Sequence, residues 1–140
     1  MTAAVREAFH FDVRVYWEDT DGGGVVYYAN YLKFLERGRT EWLRSLGVEQ
    51  GRLRDEQGLQ FAIVDIEVHY RRPALYDDLL SVSVVPLEAG RATVTFEQQI
   101  RRGGPDGPLL VEARVRAACL DAHSLKPRPM PRKLIEEIAK

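Results

Sequence analysis

The chain has 140 residues, room for one domain spanning 1–140 and too little for two of ordinary size. Apolar residues make up 45% and charged residues 29%, which excludes a disordered polyelectrolyte. A formal net charge of −1 gives no whole-molecule pull toward nucleic acid or an anionic membrane. No apolar stretch approaches the ~20 residues of a membrane-spanning helix. Met1 to Ala8, with charges at Arg6 and Glu7, does not read as a secretory signal, so a cytoplasmic location is expected. The single cysteine, Cys119, sits among Ala117, Ala118 and Leu120 and reads as a buried strand thiol. With three separated histidines it leaves no metal set, and no metal is expected.

In chain order, Phe9, Phe11, Val13, Val15 and Trp17 alternate with polar residues, predicting a strand with one buried face. Asp19-Thr20-Asp21-Gly22-Gly23-Gly24 ends it in turn residues. Tyr28, Tyr31, Leu32, Leu35, Trp42, Leu43 and Leu46 then follow helical spacing, with Asn30 as a candidate N-cap and Gly47 as the stop. Gly38 falls near the apolar stripe, where a small residue permits close approach. Val48 to Gly58 is polar and predicts a short helix or a structured connection. Period two returns with Ala62, Val64, Ile66, Val68 and Tyr70 on one face and Asp65, Glu67, His69 and Arg71 on the other, until Pro73. Strands follow near Leu79–Leu87, Ala92–Ile100 and Leu109–Leu120, joined by hairpin-like turns. The basic, Pro-rich run from Lys126 predicts an extended segment, and Leu134 to Ile138 a short terminal helix. One long helix among strands joined mostly by hairpins predicts an α+β fold, the helix on an antiparallel sheet of about five strands. A single helix covers only one sheet face, so a second subunit is expected.

The segment from Glu18 to Tyr31 is the densest source of chemistry. Carboxylates at Asp19 and Asp21 precede three glycines and a helix start. Glycine permits positive φ and close backbone approach to a ligand. The first amides of a helix have no intrahelical partner and can stabilise a developing oxyanion. A carboxylate beside them serves as base or nucleophile. An ordinary turn has the same composition. A calcium loop of the EF-hand type needs a Glu where Asn30 stands.

Val15-Tyr16-Trp17-Glu18-Asp19-Thr20-Asp21, Gly23-Gly24-Val25-Val26-Tyr27, Ala29-Asn30-Tyr31-Leu32 and Glu36-Arg37-Gly38-Arg39-Thr40-Glu41 resemble the 4-hydroxybenzoyl-CoA thioesterase family, especially its YbgC branch. The resemblance continues through Tyr70, Pro73-Ala74, Asp77-Asp78, Lys126-Pro127-Arg128 and Pro131. It implies a hotdog fold, a long helix wrapped by an antiparallel sheet, with active sites at a dimer interface and homodimers or homotetramers. It implies hydrolysis of acyl-CoA, a short aliphatic or aromatic acyl group first, with acyl carrier protein as a second possible carrier and no cofactor. Asp21 maps to the catalytic carboxylate, and the Tyr28 backbone N–H to the donor that polarises the thioester carbonyl. Asp19 becomes a supporting residue. The YbgC branch usually carries His where Tyr28 stands, a change that keeps the backbone donor and removes any imidazole role.

The CoA phosphates need cations, and Arg71, Arg72 and Arg91 are the candidates; solvated strand-end arginines are the alternative reading. Tyr27, Tyr31 and Trp42 line an acyl pocket or pack the helix on the sheet. Two rival readings are a hotdog hydratase or dehydratase, with His69 as its only placed histidine, and a non-catalytic acyl-carrier or lipid-synthesis binding partner.

Overall fold

The computed structural model describes residues 8–139; the expectation for Met1 to Ala8 otherwise lies outside the described residues. Five strands, β1 (Phe9–Arg14), β2 (Leu59–Tyr70), β3 (Leu79–Ala89), β4 (Thr93–Arg102) and β5 (Leu109–Asp121), form one antiparallel sheet in the order β1-β3-β4-β5-β2. The long helix α1 (Asn30–Ser45) packs on one face of it. Two shorter helices, α2 (Gln50–Gln57) and α3 (Arg132–Ala139), flank it.

Helical spacing places Tyr31, Phe34, Leu35, Gly38, Trp42 and Leu43 on the buried side of α1. Phe34 and Leu35 are fully enclosed, each contributing about 1.5–3 kcal/mol of burial. Gly38 lets the sheet approach: a Cβ there would meet Val82 Cγ1 at 2.9 Å and Gln98 Nε2 at 3.3 Å. Gln98, fully buried on β4, donates to the Leu35 carbonyl (3.0 Å) and accepts from Arg39 (2.9 Å). α1 closes as expected, Gly47 taking φ +80 with its amide on the Arg44 carbonyl. The 50–57 segment is the helical alternative, stopped by Gly58 at φ +66. The Pro-rich run is extended against β5 through the Leu120–Pro127 bridge before α3 begins.

Three expectations are corrected. The first strand ends at Arg14, and Trp17 is 57% exposed in a 3-10 turn, Trp17–Asp19. The Asp19 carboxylate accepts from the Tyr16 amide at 2.8 Å and turns the chain out of the sheet. Asn30 is the first helical residue rather than its cap. In β2 the strict alternation fails because a bulge falls between Ile63 and Asp65. Val64 is the surplus residue, so Phe61 and Ile63, opposite Cys119 and Ala117, share the helix-side face with Ile66, Val68 and Tyr70, opposite Val115, Ala113 and Val111. Ala62 turns to the other face.

The face away from α1 is polar, with Asp65, Glu67, Glu97, Arg114 and Arg116 exposed. Several unburied apolar side chains lie along β2, which is an edge strand: Ile63, Val64, Ile66 and Tyr70 are all exposed.

Candidate active site

The chain leaves β1 through Val15, whose amide donates to the Asp78 carbonyl and whose carbonyl accepts from the Asp77 amide. After the 3-10 turn it makes a tight hairpin. Thr20 bridges to Val26, and the Asp21 amide donates to the Val25 carbonyl at 3.0 Å. Gly22 and Gly24 take φ +89 and +90, conformations that side chains other than glycine strain to adopt. Asp21 is exposed at this hairpin. Its Oδ1 accepts from the Gly23 amide at 2.8 Å, which fixes the side chain at the glycine turn.

Two donors lash this hairpin to the start of α1. The Tyr27 amide and the Asn30 side-chain amide both donate to the Asp19 carbonyl at 2.9 Å. The Asn30 backbone amide closes the first turn onto the Tyr27 carbonyl. Among the described residues the Tyr28 amide has no acceptor. A third segment holds the same corner: Val26 N–H donates to Ala74, and Tyr76 N–H to Gly24. The site is therefore a carboxylate on a glycine hairpin, tied through the Asp19 carbonyl to the segment that enters a long helix, where the Tyr28 amide is free. A carboxylate is chemically suited to act as base or nucleophile, and a free amide to donate to an oxyanion.

The aromatic residues divide. Tyr31 is 3% exposed and its hydroxyl accepts from the Ala74 amide at 2.9 Å; burial pushes its pKa up, so it remains a neutral structural post. Trp42 is buried edge-on against Phe96. Tyr27 and Tyr28 are exposed, with ring centroids 4.8 Å apart. Tyr70, at the end of β2, donates to the Tyr28 carbonyl at 3.1 Å.

Arg71 and Arg72 follow Tyr70 at this same end of the sheet, their amides both on the Leu110 carbonyl. Arg71 is paired with Glu112 at 2.7 Å, while Arg72 is exposed. Arg91 lies in the β3–β4 turn at the opposite end, the length of β4 away, about 30 Å. One chain does not bring the three together. His69 faces away from α1 and meets Glu67 at 2.9 Å.

Sequence reasoning missed Tyr70 as a site neighbour and Asn30 as a strut. Tyr70 was read only as a member of an apolar alternation and as one of the positions the resemblance runs through, neither of which places it at the helix start. Asn30 carried a signal that pointed elsewhere, because Asn before a helix reads first as a cap.

An antiparallel sheet curved around one long helix, with an acidic glycine hairpin at that helix's start, defines a hotdog protein. The 1,4-dihydroxy-2-naphthoyl-CoA thioesterase of Synechocystis shares this fold, with a TM-score of 0.86 at 23% identity, covering 96% of this chain and 97% of that one. The acyl-CoA thioesterase YbgC of Haemophilus influenzae is 44% identical over 126 residues, 90% of each chain. The acyl-CoA thioester hydrolase YbgC of Escherichia coli O6:H1 is 39% identical over 129 residues, 92% of this chain and 94% of the other. Residues 15–138 match the model of the thioesterase-like superfamily, and the chain belongs to that family.

Proposed function

We propose that this chain is an acyl-CoA thioesterase, hydrolysing acyl-CoA to a free acid and CoA. The observation that carries it is the Asp21 hairpin lashed to the helix start beside the free Tyr28 amide. The thioester carbonyl oxygen accepts from that amide, aided by the positive end of α1. Asp21 activates water, or attacks the carbonyl to give an anhydride that water then opens; both routes end in acid and free thiol. The positive charge of Arg72 suits a CoA phosphate, with Arg71 beside it once released from Glu112.

The reading includes a homodimer or homotetramer. Asp21 is exposed in one chain, and β2 offers a twelve-residue open edge flanked by unburied apolar side chains. A second copy on that edge would shelter the reacting centre, and only another subunit could bring an Arg91 to it. A single domain and a cytoplasmic location belong to the same reading; among the described residues no helix is long and apolar enough to cross a membrane. Acyl carrier protein is kept as a second carrier.

The test is Asp21→Asn, which keeps shape and removes the charge. Thiol release from acyl-CoA should fall by at least about a hundredfold with the thermal midpoint unchanged. Unchanged turnover would leave a binding protein, and hydration of enoyl-CoA without thiol release would leave a hydratase.

A further inference from the structure

The sequence holds two Asp–Gly steps, Asp21-Gly22 and Asp106-Gly107, and both aspartates are exposed. An aspartate before glycine is open to attack by the following amide on its side-chain carbon, because glycine puts no Cβ in the way. The fold treats the two steps differently.

At Asp21 the carboxyl is folded back over the turn. Its Oδ1 accepts from the Gly23 amide at 2.8 Å, and its Cγ lies 3.9 Å from where a Cβ on Gly23 would stand. The ring closed by that hydrogen bond contains the Gly22 nitrogen. The Gly22 amide is held by Thr20 Oγ1 at 3.3 Å, longer than an ordinary N–H···O bond. Among the described residues nothing stands within 4 Å of a Cβ on Gly22, so its peptide has room to rotate. The Gly23 amide is also placed to receive negative charge developing on Oδ1. At Asp106 the equivalent amide is engaged. Gly107 donates to the Gly104 carbonyl at 3.0 Å, and Arg101 donates to the Gly107 carbonyl at 3.0 Å. A Cβ on Gly107 would collide with the Arg102 carbonyl, so this glycine is walled in.

We infer that Asp21-Gly22 is a site of spontaneous isomerisation, which turns the carboxylate of the candidate site into isoaspartate and silences it. The Gly22 nitrogen attacks Asp21 Cγ. Its proton and the carboxyl hydroxyl leave as water, closing a succinimide ring. Water then opens either C–N bond of that ring. One opening restores aspartate. The other routes the main chain through Cβ and Cγ, one carbon longer, and leaves the carboxylate on Cα. The hairpin fixes the original spacing, through the Asp21 amide on the Val25 carbonyl at 3.0 Å and the Tyr76 amide on the Gly24 carbonyl at 2.8 Å. The extra carbon therefore displaces the carboxylate. The bond chemistry is independent of the thioesterase reading; the loss of activity rests on it.

Asparagine closes the same ring more readily, losing ammonia in place of water, so Asp21→Asn and Asp106→Asn proteins give a fast measurement. Each is incubated folded and in urea, and its peptides are followed for the added negative charge that marks loss of ammonia. In the folded protein position 21 should convert at least about tenfold faster than position 106, whose peptide must first give up two hydrogen bonds. In urea the two rates should converge. Stored Asp21→Asn protein should regain part of its thiol release as aspartate is restored. Wild-type protein aged in heavy-oxygen water should take up label in the peptide holding Asp21, and thiol release should fall in proportion to the isoaspartate formed. Equal folded rates at the two positions, or conversion at position 21 only in urea, overturns the inference. Full thiol release from isomerised protein overturns the silencing, and removes Asp21 from the thioesterase reading as well. Labelling at position 21 in a chain that never releases thiol supports the isomerisation and overturns the thioesterase reading alone.

Discussion

At the scale of single residues, the site separates main-chain from side-chain work. The proposed donor at position 28 is an amide, so the tyrosine ring is replaceable and the N–H is not. Tyr28→Phe should keep kcat within about threefold. Tyr28→Pro removes the donor in the turn just ahead of α1, at an amide that makes no hydrogen bond there, and should cost about 10²–10³ in kcat with the fold intact by circular dichroism. Gly38 is a packing counterpart. Its helix gains up to about 1 kcal/mol from alanine, but a Cβ 2.9 Å from Val82 forces overpacking of about 1–3 kcal/mol. Gly38→Ala should therefore lower the urea midpoint. The glycine was legible as a point of close approach; its partners, Val82 of β3 and Gln98 of β4, were not, because they lie far away in sequence.

At the scale of elements, the C-terminal end of β5 is held by one carboxylate. Asp121 accepts from the Ser124 and His123 amides, each at 2.9 Å, and meets Arg128 at 3.3 Å; these hold its pKa at about 2, below the ordinary 3.8. A depressed carboxylate pKa stabilises the fold above the unfolded value, and that stabilisation fades as pH falls from 3.8 toward 2. Asp121→Asn should melt below wild type at neutral pH, and the gap between the two thermal midpoints should close across that window. Elements with a sustained period were readable: α1 from its stripe, and β3, β4 and β5 from alternation, although β3 carries a register shift of its own between Pro86 and Glu88. The reading failed where a local hydrogen bond or an extra residue broke the period. Asp19 capturing the Tyr16 amide took Trp17 out of its strand, and Val64 shifted the register of β2. Neither event alters composition, so neither leaves a mark in a pattern of apolar positions.

For the whole molecule, the expectation of a second subunit came from an uncovered sheet face, yet that face is charged and suited to water. The stronger case for association is the open edge of β2. Sedimentation of the wild-type protein should give a mass of at least two chains. Val64→Lys, placing a charge on that edge, should shift it toward one chain. A wild-type mass of one chain would discard the dimer. The hairpin and helix start of the candidate site were legible as carboxylate, glycine and helix signals in one continuous segment. Tyr70 was not, since it reaches the site only through the pairing of β2 with β5.

The surplus position in β2 makes insertion and substitution unequal at this strand. Exchanging a side chain there changes one contact, and dropping the odd residue would set Ile63 directly before Asp65 and restore a regular ladder with Phe61 and Ile63 still toward the helix; adding a residue beside it without a bulge to absorb it would instead present Gln60 and Ala62. A relative one residue shorter in this stretch would thus present the same helix-side face, although its alternation of apolar letters differs.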